Sequence, residues 1–417
     1  MWDSAYAGLV ALAIAACTRA APIPAAAPAP TDDPQRAAMR VPTIDSRSPA
    51  KLESTEGHLL ERCFREDASG DPARPLEALL DRSAERFDKG DYHATLTCAE
   101  EAARVEPRSV EAHHYRATAF QALGKLPEAE SAFERALALD PEDPETLAGA
   151  ADLFINRLPA STDHSETGLE YARRGSRRVL RTRLKGDKGL VAWLALLEGE
   201  ALSDLGRSRE ALARLDASLS AQPSDLHAKY ERALALFDLC RFADAKRGFE
   251  EVIKQSPDDA WAHHHLGLTC EQMGDDATAN RELAEARRRA PEDFRPPVEI
   301  SQNAFRALVD DEAMKLPPPL KIDLAKVSLE TRDLPELTDL IAEEPPLQPT
   351  ILGLFRGAPL GESPEGDPRA IVIYRRNLQR ATASLEELRK QVRTTLYHEL
   401  GHLRGEDDDA LRARGLE

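Results

Sequence analysis

The five residues His398-Glu399-Leu400-Gly401-His402 carry the clearest chemistry in the sequence. On a helix, side chains at i and i+4 share one face about a turn apart, so both imidazoles can hold a single Zn²⁺ through two nitrogens. Glu399 follows the first histidine directly, placed to take a proton from a water at the metal and pass it to a leaving amine. A catalytic zinc keeps three protein ligands and an open position. Only 15 residues follow His402, so the third ligand is expected close by rather than on a later helix. Gly405 can leave the helix with positive φ and turn the chain back toward the metal. Glu406-Asp407-Asp408-Asp409 then offers carboxylates. Asp408, six residues past His402, completes the pattern HExxHxxGxxD, with Asp407 as the fallback. Without the preceding histidine pair this run would read as a solvated acidic tail.

These residues need a helix and a sheet to hold them. Ser384 as N-cap and Glu387 three residues on form a capping box, so the helix starts there. It follows an apolar run, Ala370 to Tyr374, that reads as a strand. Upstream, residues near 298 to 315 read as a helix, Lys326 to Glu330 as a strand, Leu334 to Ala342 as a short helix and Ile351 to Phe355 as a strand, between Pro-rich joints. A donor to the transition-state oxyanion is also required. Arg375, Arg376 and Tyr374 are candidates, set against the plainer reading of solvated strand-end residues.

Before Pro291 the texture is periodic. Gly90 and Gly124 are 34 apart, as are Gly206, Cys240 and Gly274, with Pro223, Pro257, Pro291 and Ala211, Ala245, Ala279 in the same register. Six units follow, at 76–109, 110–143, 144–191, 192–225, 226–259 and 260–293, the third carrying 14 extra residues placed at Asn156 to Gly168. Each reads as a helical hairpin: small residues where the helices approach, Gly at the turn, Pro after the second helix. His263-His264-His265 resembles a metal tract, but neighbours on a helix point about 100° apart, so partly exposed helix histidines are expected, as at His113 and His114. Cys98, Cys240 and Cys270 are expected as buried inert thiols, or, in an exported chain, as partners in a bridge among themselves or with Cys63.

The 417 residues carry a net charge of −18 and only 5% aromatics, a composition of packed helices rather than of a sandwich or barrel. An acidic balance read without any dense Lys/Arg stripe argues against nucleic acid as a partner. Residues 5 to 16 form an apolar run too short to span a bilayer but suited to a signal peptide, and Ile14-Ala15-Ala16-Cys17 resembles a bacterial lipobox. Asp3 and the lack of Lys or Arg before Ala7 disagree with that reading and leave a cytoplasmic chain as the alternative. The domain reading is a signal segment 1–17, an Ala/Pro-rich tether 18–75, repeats 76–293 and a second domain 294–417. Membrane attachment would run through a lipidated Cys17 in the bacterial envelope.

The repeat register and residue types resemble tetratricopeptide repeats over about 218 residues, which implies an α-solenoid with a concave surface for a protein or peptide partner. Residues 294 to 417 resemble the zincin-like metallopeptidase family in its minimal form, through Leu352-Gly353-Leu354-Phe355-Arg356-Gly357, Ile373-Tyr374-Arg375-Arg376 and Thr395 to His402 with Gly405 and Asp408. The expected fold is therefore mainly α, a solenoid of helical hairpins followed by a small α+β zincin-like domain. The resemblance implies a zinc site of His398, His402 and Asp408, Glu399 as general base, a peptide substrate, and Ala370 to Tyr374 as the edge strand that pairs with it. Arg404 departs from the family pattern and touches no ligand position. The second reading is a non-catalytic envelope scaffold whose repeats bind proteins and whose zincin-like domain is structural or vestigial.

Overall fold

Helix starts in the repeats are set by short polar caps. Asp91, Ser109, Asp143, Asp187, Asp259 and Asp275 each accept a hydrogen bond from the backbone N–H three residues on. The computed structural model describes residues 75–182, 187–342, 344–362 and 368–415. The signal-peptide and tether readings, with Cys17 and Cys63, lie outside the described residues. Two compact units divide between Arg232 and Ala233.

In the first unit the helices run in antiparallel succession: α1 (Pro75–Asp88), α2 (Tyr92–Val105), α3 (Val110–Ala122), α4 (Leu126–Leu139), α5 (Pro144–Asp152), α6 (Thr162–Arg181), α7 (Lys188–Asp204) and α8 (Ser208–Ala221). α9 (Leu226–Asp238) carries the unit boundary. Gly90, Gly124 and Gly206 turn the chain between paired helices at φ between +70° and +74°. Most of the extra residues placed at Asn156 to Gly168 are helical: a π-helical turn (Leu153–Arg157) extends α5, Leu158 to Ser161 make a short joint, and α6 runs 20 residues. That helix also corrects the charge reading. It concentrates Arg173, Arg174, Arg177, Arg178 and Arg181, a stripe that whole-chain composition hides. Each is held by a carboxylate or carbonyl, for example Arg178 by Glu142 at 3.2 Å and Arg174 by the Pro141 carbonyl at 2.6 Å.

The second unit opens with the remaining helices of the repeat type, α10 (Phe242–Gln255), α11 (Ala260–Gln272) and α12 (Asp276–Arg289). Cys240 takes the place of the turn glycine with φ of 56°. Two histidines of the tract are buried rather than partly exposed, His263 and His265 at 6% each, whereas His264 is half-buried as expected. His263 Nδ1 contacts Glu282 at 2.6 Å, and His265 stacks between Phe249 and Trp261. His113 is likewise buried, and His114 is half-buried as expected. Cys98 is disulfide-bonded, against the expectation of an inert thiol and in line with the bridge held open for it, whereas Cys240 and Cys270 are free.

Then come α13 (Gln302–Met314), α14 (Pro318–Leu324), β1 (Ser328–Arg332), α15 (Leu337–Leu340), β2 (Gly353–Arg356), β3 (Ala370–Tyr374), α16 (Arg375–Ala381), α17 (Leu385–Leu403) and α18 (Asp408–Ala413). The sheet order is β1-β3-β2, with β3 parallel to β1 and antiparallel to β2. Leu388, Val392, Leu396, Leu400 and Leu403 of α17 pack with Phe355, Ile371 and Ile373 of the sheet and with Phe305, Leu308 and Val309 of α13. Glu312, buried on α13, pins α17 through Arg389 and Arg393. No helix among the described residues is long and apolar enough to cross a membrane.

Candidate metal centre

The cap that starts α17 fixes the phase of everything downstream. Ser384 Oγ accepts from the Glu387 N–H at 3.1 Å, and the Glu387 carboxylate reaches back to the Ala383 N–H at 2.8 Å. Four turns later His398, Glu399 and His402 are all buried, at 2%, 0% and 4% exposure. Gly405, at φ of 84°, reverses the chain after the helix. Asp407 caps α18 by accepting from the Ala410 N–H at 2.9 Å, which sets Asp408 on the first turn facing the imidazoles.

The geometry brings three ligand atoms to one point. His398 Nε2 and His402 Nε2 are 2.8 Å apart, and Asp408 Oδ1 lies 3.5 and 3.4 Å from them. Ligands about 2.0–2.1 Å from a tetrahedral ion stand about 3.3 Å from one another, so the triangle suits zinc. His402 Nδ1 lies 3.0 Å from the Glu406 carbonyl, which only an N–H can satisfy, so Nε2 is left with its lone pair. Asp408 Oδ1 and both oxygens of Glu399 have no hydrogen-bond partner among the described residues. Orphaned buried carboxylate oxygens beside two imidazoles are what a cation and a water would satisfy. The donor set therefore fits the metal implied by the sequence.

Electrostatics separate the two carboxyls. Burial pushes Glu399 up to about 7, against the pull of His402 and His398. Burial opposes ionisation of Asp408 too, but the His398 and His402 imidazoles beside it, at 3.5 and 3.4 Å, hold it well below the usual carboxylate range. His402 is raised despite burial, by Asp408 and Glu399.

Several expectations need correction. Ala370 to Tyr374 is the central strand, paired on both sides, and offers no edge to a substrate. That edge belongs to β2. The Tyr374 N–H donates to the Leu352 carbonyl, and Leu354 and Arg356 continue the same phase against Val372 and Ala370. The N–H and C=O of Gly353 and Phe355 therefore point away from β3. Gly353 is where β2 meets α17: a Cβ there would lie 2.6 Å from Thr395 Cγ2 and 2.8 Å from Glu399 Oε1.

Arg375 is not an oxyanion donor, since Asp333 holds it at 2.7 and 2.9 Å. Arg376 is taken by Glu271 and Asp276 at 3.1 and 2.7 Å. Tyr374 is fully buried with its hydroxyl unpartnered, and burial raises its pKa. Arg404 forks onto Asp323 of α14 at 2.8 and 2.6 Å, a structural clamp outside the site. Sequence reasoning missed the β2 edge and the Glu406 carbonyl. The signal for the first was Gly353 within an otherwise apolar run, while a backbone carbonyl leaves no signal in residue type.

Residues 324–416 match the zincin-like metallopeptidase family, and residues 110–143 and 196–260 match two tetratricopeptide repeat families. The chain is a tetratricopeptide repeat protein with a C-terminal zincin-like metallopeptidase domain. Among solved structures, PilW, described as a type IV pilus biogenesis factor, is 20% identical with a TM-score of 0.45, covering 57% of this chain and all of its own (100%). PilF of Pseudomonas aeruginosa is 16% identical with a TM-score of 0.44, covering 52% of this chain and 93% of its own. YrrB, described as a repeat protein with an unusual peptide-binding site, is 18% identical with a TM-score of 0.37, covering 46% of this chain and 92% of its own. No curated protein matches.

Proposed function

We propose that the zincin-like domain is a zinc-dependent peptidase and that the repeats recruit its protein substrate or a protein partner. The observation that carries this is the convergence of His398, His402 and Asp408 beside the buried, unpartnered carboxylate of Glu399. The first three would hold the metal, which when bound supplies Lewis acidity to a scissile carbonyl and to water. Glu399 takes the proton of the attacking water and delivers it to the leaving amine. Its position in a dry site, with a pKa pushed to about 7, suits both halves of that task. The outward N–H and C=O groups of Gly353 and Phe355 hold an extended peptide by strand addition. Glu399→Gln keeps the shape and the metal ligands but removes the base. The expected result is undiminished zinc and no hydrolysis of a peptide library; hydrolysis at wild-type rate would overturn the assignment.

The compartment belongs to the same proposal. A lipidated Cys17 would tether the chain in the bacterial envelope, and the disulfide at Cys98 supports an oxidising location. Cys17→Ser should then shift the protein from the membrane to the soluble fraction. Unchanged fractionation would reject the tether.

A further inference from the structure

A basic pocket of about 460 Å³ opens between the two helices of one hairpin in the first unit, with Arg116 and Phe120 entering from α3 and Pro127, Ala132 and Arg135 from α4. Its arginines lack the carboxylates that hold most of the α6 stripe. Arg116 Nη1 lies 3.2 Å from His113 Nδ1. His113 Nε2 faces the Pro107 carbonyl at 3.0 Å and so carries the proton, which makes Nδ1 a neutral acceptor. Burial lowers the pKa of His113, and the charges of Arg116 and Arg135 add to that, so the imidazole offers no counter-charge. Arg116 Nε is buried without a hydrogen-bond partner among the described residues. The side chains of Arg135 and Lys125 form no hydrogen bond or ion pair among the described residues, and Glu128, the acid on the lining, pairs with none of the three cations. The Phe120 ring has Arg116 and Lys125 each 6.0 Å from its centroid.

In a chain of net charge −18, three cations without a carboxylate around one cavity are a local reversal of sign. An orphaned guanidinium N–H inside that cavity is a donor in want of an acceptor. A guanidinium meets a carboxylate through two parallel hydrogen bonds, and the neighbouring aromatic and proline surfaces suit the apolar part of a peptide. Inorganic phosphate would leave Phe120, Pro127 and Ala132 uncovered, which favours a peptide over a free anion. We infer that this pocket docks an acidic segment of a protein partner, taking an Asp or Glu carboxylate on Arg116 and Arg135 and the adjoining chain on Phe120 and Pro127. The inference rests on the reading that the repeats recruit a protein, and it names the chemistry they recruit.

The test uses the full chain carrying Glu399→Gln, so that the C-terminal domain does not cleave the probe. A fluorescein-labelled peptide of alternating Glu and Ala is titrated by anisotropy, beside its counterpart with Gln in place of Glu. The acidic peptide is expected to bind at least tenfold more tightly than the Gln peptide. Adding Arg116→Gln or Arg135→Gln is expected to weaken its binding at least fivefold, whereas Arg247→Gln, an exposed arginine outside the pocket, leaves it unchanged. Should Arg116→Gln disturb folding, Arg135→Glu carries the test, since that side chain is exposed. Equal binding of both peptides, or unchanged binding in the pocket variants, would overturn the pocket while leaving recruitment elsewhere on the repeats to stand. Binding of neither peptide, an equal loss in Arg247→Gln, or full displacement by inorganic phosphate equimolar with the peptide would overturn it as well.

Discussion

At the scale of single residues, Asp407 and Asp408 are the sharpest contrast, since they are adjacent, alike in type and different in task. Asp407 accepts from the Ala410 N–H, whereas Asp408 faces His398 and His402. Asp408→Ala is expected to lower zinc affinity a hundredfold or more, and Asp407→Ala to cost about 1 kcal/mol of stability, as a lost cap does, with zinc retained. Isothermal titration and denaturant melts on both variants check this; weaker zinc in Asp407→Ala alone would reverse the assignment. Gly353→Ala probes the β2 contact, because its Cβ would crowd Thr395 and Glu399. Activity is expected to fall at least tenfold with zinc retained, and full activity would remove the strand from the site. The histidine pair, Glu399 and the turn at Gly405 were legible because spacing along one helix and one positive-φ glycine are local facts. The β2 edge was not, because strand order is decided by contacts that residue spacing does not encode.

At the scale of elements, the repeats show how far a period can be read. Glycine, proline and small-residue positions report helix ends and close helix contacts, so the hairpins were visible in the sequence. Cys240 breaks that chemistry while keeping its geometry, holding a left-handed φ of 56° that costs an ordinary residue about 1–2 kcal/mol. Its weak contact with the Leu347 carbonyl at 3.7 Å returns little. Cys240→Gly is therefore expected to stabilise the second unit by about 1 kcal/mol in urea melts, and a loss of stability would show that the thiol contributes more than the turn costs. Burial of His263 and His265 escaped the sequence reading for the opposite reason. A run of imidazoles looks polar by type, yet Phe249, Trp261 and the Glu282 carboxylate surround it. Rings and partners from neighbouring helices settle such a case.

At the scale of the whole molecule, the second unit joins chemistry to repeats through charge. Glu271, buried on α11, receives Arg376 and Arg380 from α16, and Gln272 donates to the Pro349 carbonyl that Asn377 also holds. Its stability should depend on pH through His265. Burial lowers that imidazole to about 4, whereas an unfolded histidine titrates near 6.5. Above pH 6.5 both states are neutral; below it the unfolded chain gains a proton that the folded one refuses. Stability therefore falls between pH 6.5 and 4, by up to about 3 kcal/mol from this group. His265→Leu should flatten that part of the profile, and an unchanged acid slope would contradict the burial argument.

The most direct test of the account is zinc stoichiometry by elemental analysis on the wild-type chain, Glu399→Gln, His402→Ala and Asp408→Ala. His402→Ala and Asp408→Ala are each expected to hold one tightly bound zinc fewer than wild type, while Glu399→Gln holds the same number. Equal zinc in all four folded proteins would contradict it.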